Sequence, residues 1–277
     1  MREKQVVLAT THVGRDNIEF ARSALESTVE QLETEVIPMW IEHDPRIPPH
    51  GRIIDAEVRE REDGEHELIG RVETYEEEDL KGEGRIPLLD RTIPVGIDED
   101  ESGEIIFFNR TFDGEADQRD INEISEALNA EATREEKRSF ELLPVLKITG
   151  KYALGAIATG FLGKIGADVY DFFKEKVKEL MNRKAEETDE RLLIFNPVVE
   201  VDGCLVEIKV ILTNPTDEDI EKLFDDGLQK LDQILPKHIT DNSVRCIVYK
   251  FEGQEIELRF GVRKDAAPLD PELFRSD

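Results

Sequence analysis

Two hairpin patterns with one amphipathic helix between them, in residues 195–262, constrain the fold of this chain most. Each hairpin pattern is a pair of alternating runs joined by a glycine turn, Asp202-Gly203 in the first and Glu252-Gly253 in the second. The helix pattern begins at Thr216 with Asp219 three residues on, a variant of the capping box, and Pro236 predicts its end. This order of elements predicts a ββαββ domain, an antiparallel sheet with its helix on one face.

The N-terminal part of the sequence also mixes strand and helix patterns. Its strongest signal is Asp63-Gly64, which separates two alternating runs and predicts a hairpin. A second strand pair is predicted from residues 92–97 and 104–109. The other predicted elements are strands at 6–10 and 36–41 and helices at 17–32 and 117–128. Together, the two parts predict an α+β fold with a β-rich N-terminal domain.

Residues 150–183 differ from the rest because their first half is apolar all round. Small residues, which let helices approach closely, recur there at Ala153, Gly155, Ala156, Ala158, Gly160 and Gly163. The second half, from Ile165 to Leu180, is amphipathic at helical spacing. Three interpretations stay open: a buried connector, a self-association helix, or a segment that settles on a membrane surface. For the last two, the predicted contact residues are Tyr152, Leu154, Ile157, Phe161, Leu162 and Ile165.

The charge of the chain divides it into three segments. Its 36 basic and 64 acidic residues give a net charge of −28. Residues 1–141 hold 17 basic and 38 acidic residues, residues 142–191 hold 9 and 8, and residues 192–277 hold 10 and 18. We predict an acidic β-rich domain, a Gly/Ala-rich helical connector and the small α/β domain with these same boundaries. So acidic a surface repels phosphates and argues against a nucleic-acid partner.

Cysteine usage and the start of the sequence bear on the compartment. Cys204 and Cys246 are too few for a disulfide framework, and both lie in strand patterns that predict buried thiols. The charged first residues do not read as a secretory signal, and no run of about 18 apolar residues occurs. We expect a cytoplasmic protein, with membrane association as the alternative, and no cofactor.

The densest group of chemically versatile residues runs from Trp40 to Arg52. A strand ending in His43-Asp44, followed by Gly51-Arg52 at the start of a long alternating strand, resembles the prohead proteases of tailed phages. The resemblance covers residues 5–125 and implies a protease-like fold in which the histidine activates a serine on a later strand.

The matching of that family's residues is incomplete in this chain. His43 takes the place of the histidine, but the strand at 105–112, where the nucleophile should lie, contains no serine. The hydroxyl candidates are Ser102 and Thr111, and Glu123 or Glu126 is the candidate for the acidic member. The resemblance therefore implies a protease-like domain without its nucleophile.

A weak calcium-loop pattern covers residues 98–105. Asp98, Asp100 and Ser102 occupy ligand positions of such a loop, but the twelfth position holds Asn109 instead of glutamate. The flanking patterns are strands, whereas calcium loops of this kind lie between helices. A solvated hairpin turn is the competing interpretation.

These observations lead to three functional hypotheses. The first is a non-catalytic assembly or sensing protein, phage-related or active in phage defence, which forms homo-oligomers through the middle helix and binds a protein partner. The second is a serine- or threonine-type peptidase that uses His43. The third is a membrane-perturbing effector that acts through residues 152–173.

Overall fold

The computed structural model describes residues 1–12, 20–41, 44–76, 79, 86, 87, 89, 91–93, 103–109, 114–138, 142–149, 167–182, 190–201, 204–239 and 243–270. It contains both helices and sheets, so the predicted α+β class is confirmed. The chain divides into two compact units. Unit 1 contains the described residues from Met1 to Ile93 and those from Gly261 to Asp270, and unit 2 contains those from Gly103 to Phe260.

Unit 1 is built on a four-stranded antiparallel sheet with the order β1-β4-β3-β2. Its elements are β1 (Arg2–Thr10), α1 (Arg22–Thr34), β2 (Ile37–Met39), β3 (Gly51–Glu60) and β4 (His66–Thr74). Leu25 and Leu32 of α1 are buried against Ala56 and Leu68 of the sheet. The alternation of β3 and β4 therefore supplies one apolar face for the helix.

The predicted hairpin around Asp63-Gly64 is confirmed as the β3–β4 pair. Gly64 has a φ of 83°, a conformation that glycine adopts without steric cost. The pairing register shifts between Ile53 and Asp55, so the strand is bulged there. On the N-terminal side of the bulge, Arg52 lies opposite Glu73.

Unit 2 contains seven strands of an eight-stranded sheet, in the order β11-β10-β9-β8-β5-β7-β6. Its strands are β5 (Gly103–Asn109), β6 (Glu131–Arg138), β7 (Leu142–Thr149), β8 (Arg191–Val201), β9 (Cys204–Thr213), β10 (Val244–Glu252) and β11 (Glu255–Arg263). β11 runs across the unit boundary, and its last residues pair with β12 (Pro268–Leu269) in unit 1.

The predicted pairing of residues 92–97 with residues 104–109 is wrong, because β5 pairs with two other strands. β5 pairs with β8 on one side and with β7 on the other, so both of its edges are occupied and no edge remains for residues 92–97. β5 falls in the predicted segment 1–141 and β8 in the predicted segment 192–277, yet the two strands are hydrogen-bonded neighbours.

The C-terminal ββαββ order is present, but its sheet is not purely antiparallel as predicted. β8 and β9 form an antiparallel hairpin, whereas β9 and β10 pair in parallel. The physical reason is the helix between them, since a helical crossover returns the chain to the same end of the sheet.

The described part of unit 2 contains four α-helices: α2 (Gly114–Leu128), α3 (Ala167–Asn182), α4 (Asp217–Lys222) and α5 (Leu228–His238). The capping box at Thr216 and Asp219 is formed as predicted, and a π-helical turn, Leu223–Gly227, joins α4 to α5. The predicted helix end at Pro236 is wrong, because the helix continues to His238. A proline this close to the helix end removes a single N–H, and the Ile239 N–H still donates to the Leu235 carbonyl at 3.1 Å.

Phe224, in the π-helical turn, lies in the core of unit 2. Its ring makes edge contacts with Phe173 at 5.2 Å, and with Tyr170 and Phe195 at 6.4 Å between centroids. α3 therefore packs on the π-helical turn, and the odd-numbered residues of β8 around Phe195 face these helices.

Candidate functional site

Of the predicted catalytic residues, the two alternatives for the acidic member, Glu123 and Glu126, lie within the described ranges, whereas His43, Ser102 and Thr111 fall outside them. Glu123 lies on α2, and its carboxylate is 3.1 Å from the Nζ of Lys176 on α3. This hydrogen bond raises the pKa of Lys176. The contact fastens one helix to the next, so the geometry of Glu123 is that of a structural ion pair.

The predicted calcium ligands Asp98, Asp100 and Ser102 also lie outside the described residues. The same holds for the predicted contact residues Tyr152, Leu154, Ile157, Phe161, Leu162 and Ile165. Within the ranges that the structure describes, no three His, Cys, Asp or Glu side chains are grouped as metal ligands. None of the described helices combines the length and apolar character needed to cross a bilayer.

A cluster of buried ion pairs and hydrogen bonds in unit 1 surrounds Arg52, whose side chain is fully buried at the start of β3. Its Nε donates to the Glu73 carboxylate at 2.7 Å, and its Nη1 donates to the Asp265 carboxylate at 2.8 Å. Its Nη2 donates to the Pro87 carbonyl at 3.0 Å. A buried guanidinium needs this degree of pairing, because an unpaired charge in the interior is very costly.

Asp265 lies between two arginines. In addition to Arg52, Arg263 donates to its carboxylate from Nε at 2.9 Å and from Nη2 at 2.6 Å. The backbone N–H groups of Leu89 and Ala267 donate to the same carboxylate at 3.2 and 3.4 Å. Burial alone would raise the pKa of Asp265, but the hydrogen bonds and charges of the arginines outweigh it and lower the pKa.

The network formed by Arg52, Glu73, Arg263 and Asp265, which we call the crossing network, holds both ends of the insertion that forms unit 2. Arg263 donates to the Ile86 carbonyl at 3.2 Å, and the contacts to Pro87 and Leu89 hold the same outgoing segment. The Ile93 N–H donates to the Lys264 carbonyl at 2.5 Å. The chain therefore leaves unit 1 and returns to it beside one set of buried charges.

Close backbone approach at Gly51 makes this arrangement possible. A Cβ at Gly51 would clash with the carbonyl oxygen of Glu73. Glycine is therefore required where the start of β3 comes up against β4, and it brings Arg52 opposite Glu73.

Two buried polar atoms beside the crossing network make no hydrogen bond within the described residues. They are the Oη of Tyr75 and the Nδ1 of His50. The two residues are cross-strand neighbours, because the Tyr75 N–H donates to the His50 carbonyl at 2.8 Å. Burial raises the pKa of Tyr75, and the nearby arginines only partly offset this. The Tyr75 hydroxyl is therefore protonated and able to donate.

A second polar arrangement, which we call the polar row, crosses the sheet of unit 2 on the face opposite Phe195. Asn196, 3% exposed, donates from Nδ2 to Glu104 at 3.3 Å, and Lys147 Nζ lies 2.5 Å from the same carboxylate. The strand register places Lys209 opposite Asn196, and its Nζ lies 3.4 Å from Glu207. The Oδ1 of Asn196 is buried and forms no hydrogen bond with any residue that the structure describes.

The ionisation states in the polar row do not suit nucleophilic catalysis. Cys246 lies next to the polar row, on β10 opposite Glu207, and burial raises the pKa of its thiol to about 12, which keeps it protonated at neutral pH. Burial would lower the pKa of Lys209, but nearby negative groups, Glu207 among them, raise it instead. A catalytic cysteine or lysine needs the opposite shift.

Sequence patterns missed most of these residues. Arg52 and His50 belong to the dense group from Trp40 to Arg52, but their partner Asp265 lies 213 positions after Arg52. No periodicity connects positions so far apart. Compared with known proteins, the chain matches no family model, no curated protein and no solved structure.

Proposed function

We propose that this chain is a non-catalytic protein that senses a signal in unit 1 and assembles into homo-oligomers. The observation that carries the proposal is the crossing network, which ties both connections of unit 2 to one buried set of charges in unit 1. A change at these charges acts on two covalent links at once, which suits a switch better than a passive linker.

The ionisation states support the non-catalytic part of the proposal. Arg52 and Arg263 both donate hydrogen bonds to Asp265, and Cys246 is held as a neutral thiol. Groups in such states hold a structure together and do not exchange protons with a substrate. The resemblance to phage prohead proteases without their nucleophile points in the same direction and suggests a phage-related role in the cytoplasm.

The assembly part rests on the sequence of residues 150–166, which lead into α3. Their small and apolar residues suit helix-to-helix association. The net charge of −28 opposes association of copies at low ionic strength, and salt screens that repulsion. Assembly should therefore grow with salt concentration.

Native mass measurement of the full chain at low and high salt tests the proposal. We expect oligomers that increase with salt and that disappear in a Phe161→Asp, Leu162→Asp double variant. Arg52→Met should shift the oligomer distribution, whereas Arg71→Met, at an exposed ion pair on the same sheet, should not.

Two results would overturn this proposal. One is a wild-type chain that stays monomeric at every salt concentration. The other is covalent labelling by a fluorophosphonate probe that is lost in His43→Ala, because that result would establish a peptidase.

A further inference from the structure

We propose that unit 1 binds a small oxyanion, a carboxylate or a phosphate group, at a site formed by His50 and Tyr75 beside the crossing network, which we call the pocket. The inference rests on the proposed function, for which it names the signal. Its basis is the pair of buried polar atoms, Tyr75 Oη and His50 Nδ1, that lack hydrogen-bond partners among the described residues. Buried polar groups are nearly always hydrogen-bonded, so two adjacent exceptions indicate a site for an added group.

The hydrogen-bonding capacity around the pocket favours a ligand rich in acceptors. The Tyr75 hydroxyl has a proton to donate, and His50 donates from Nδ1 in one of its neutral tautomers or when protonated. Arg263 uses Nε and Nη2 toward Asp265 and Ile86, while its Nη1 makes no hydrogen bond in the part of the chain that the structure describes. Tyr75 and His50 can therefore donate to one group of oxygens, and the positive charge of Arg263 near Tyr75 favours an anion there.

Most of the acceptors near the pocket are already occupied. Both oxygens of Asp265 accept hydrogen bonds, from two arginines and two backbone N–H groups. Glu73 accepts from Arg52 at 2.7 Å. A cation or a ligand rich in donors would meet two arginines and few open acceptors, whereas an oxyanion meets open donors.

The pocket also lies where a ligand can affect the crossing segments. Tyr75 packs with Ile86 of the outgoing segment and with Ala267 of the returning one. An oxyanion held by Tyr75 and His50 would be in reach of both segments through side chains that they contact. Binding would therefore stabilise the contacts of Tyr75 with both segments together.

Titration calorimetry of the full chain with inorganic phosphate and, separately, with acetate tests this inference at matched ionic strength against chloride. We expect saturable binding of at least one of them with a Kd of about 1 mM or tighter. Tyr75→Phe keeps the ring and removes the donor, so it should weaken binding about tenfold or more. The matched control is Tyr170→Phe, which removes a buried hydroxyl in unit 2 and should leave the affinity unchanged.

His50→Leu is the second variant, and it should also weaken binding. Preference for phosphate or for acetate identifies the source of the oxyanion. No saturable binding of either anion would overturn the inference, because water alone then fills the pocket, and so would full affinity in Tyr75→Phe. Binding without any effect on native mass leaves the pocket standing and refutes the sensing function, whereas salt-dependent oligomers without binding refute the pocket alone.

Discussion

Arg52→Met tests how strongly the crossing network stabilises unit 1. Arg52 is fully buried and donates to Glu73, Asp265 and Pro87 at 2.7 to 3.0 Å. Methionine fills much of the volume but pairs with none of them. Asp265 retains Arg263, whereas Glu73, with a side chain 12% exposed, loses its buried partner. Removing one member of a buried ion pair costs about 3–5 kcal/mol, which we expect as the loss in free energy of unfolding.

A matched control lies on the same sheet. Arg71 is 42% exposed and lies 3.3 Å from Asp55 and 3.4 Å from Glu3. Because exposed ion pairs contribute only about 0–1 kcal/mol, Arg71→Met should change stability by no more than that. The double variant Arg52→Met, Glu73→Gln should lose less than Arg52→Met alone, because it leaves no unpaired carboxylate at Glu73.

The assay is denaturant unfolding of the full chain followed by tryptophan fluorescence. The sequence contains one tryptophan, Trp40, and it lies in unit 1, so the signal reports on that unit. Free energies come from linear extrapolation, with circular dichroism to verify that each variant is folded. If Arg52→Met and Arg71→Met differ by less than about 1 kcal/mol, the crossing network does not stabilise unit 1 as argued.

Three further predictions concern acid stability, thiol reactivity and the core of unit 2. Because the pKa of Asp265 is lowered in the folded state, its carboxylate stabilises the fold above pH 3.8, and this stability is lost as the pH falls further. Asp265→Asn should therefore flatten the acid side of a plot of unfolding free energy against pH, and an unchanged slope there would contradict the prediction. In a Cys204→Ser background, Cys246 should resist alkylation at neutral pH until the chain is unfolded, and fast native labelling would show that the thiol is accessible. Phe224→Ala should destabilise unit 2 by about 3–5 kcal/mol in calorimetric melting, whereas a loss below about 1 kcal/mol would mean that its ring contacts contribute little.

Local patterns predicted the elements that local chemistry determines. The turn at Gly64, the capping box at Thr216 and the amphipathic spacing of α3 each involve residues a few positions apart. Such signals need no knowledge of the rest of the fold. They also predicted the α+β class correctly.

β6 and β7 were not predicted because neither sequence shows a clear strand pattern. β6 is the charged run EATREEKR at the edge of its sheet, and edge strands commonly carry charges that discourage aggregation. β7 contains Pro144, which weakens a strand pattern. β5, the partner of β7, was expected in a local hairpin because the nearest visible strand pattern was the one at residues 92–97.

The crossing network and the polar row could not be predicted from the sequence for a different reason. Arg52 and Asp265 meet only because the chain returns to unit 1 after residues 95–260 of unit 2. The polar row likewise joins residues of four strands, from Lys147 on β7 to Lys209 on β9. Neither arrangement leaves a spacing that a single sequence displays.

The discontinuous make-up of unit 1 fixes an order of events during synthesis. Positions 95–260 leave the ribosome between the two parts of unit 1, and at ~5–20 residues per second this interval lasts roughly 10 to 30 s. Over that time Arg52 lacks Asp265, its fully buried partner, while unit 2 already holds all the strands from β5 to β10. Unit 1 therefore completes its buried charge pairing only when residue 265 emerges, after the strands from β5 to β10 have been synthesised.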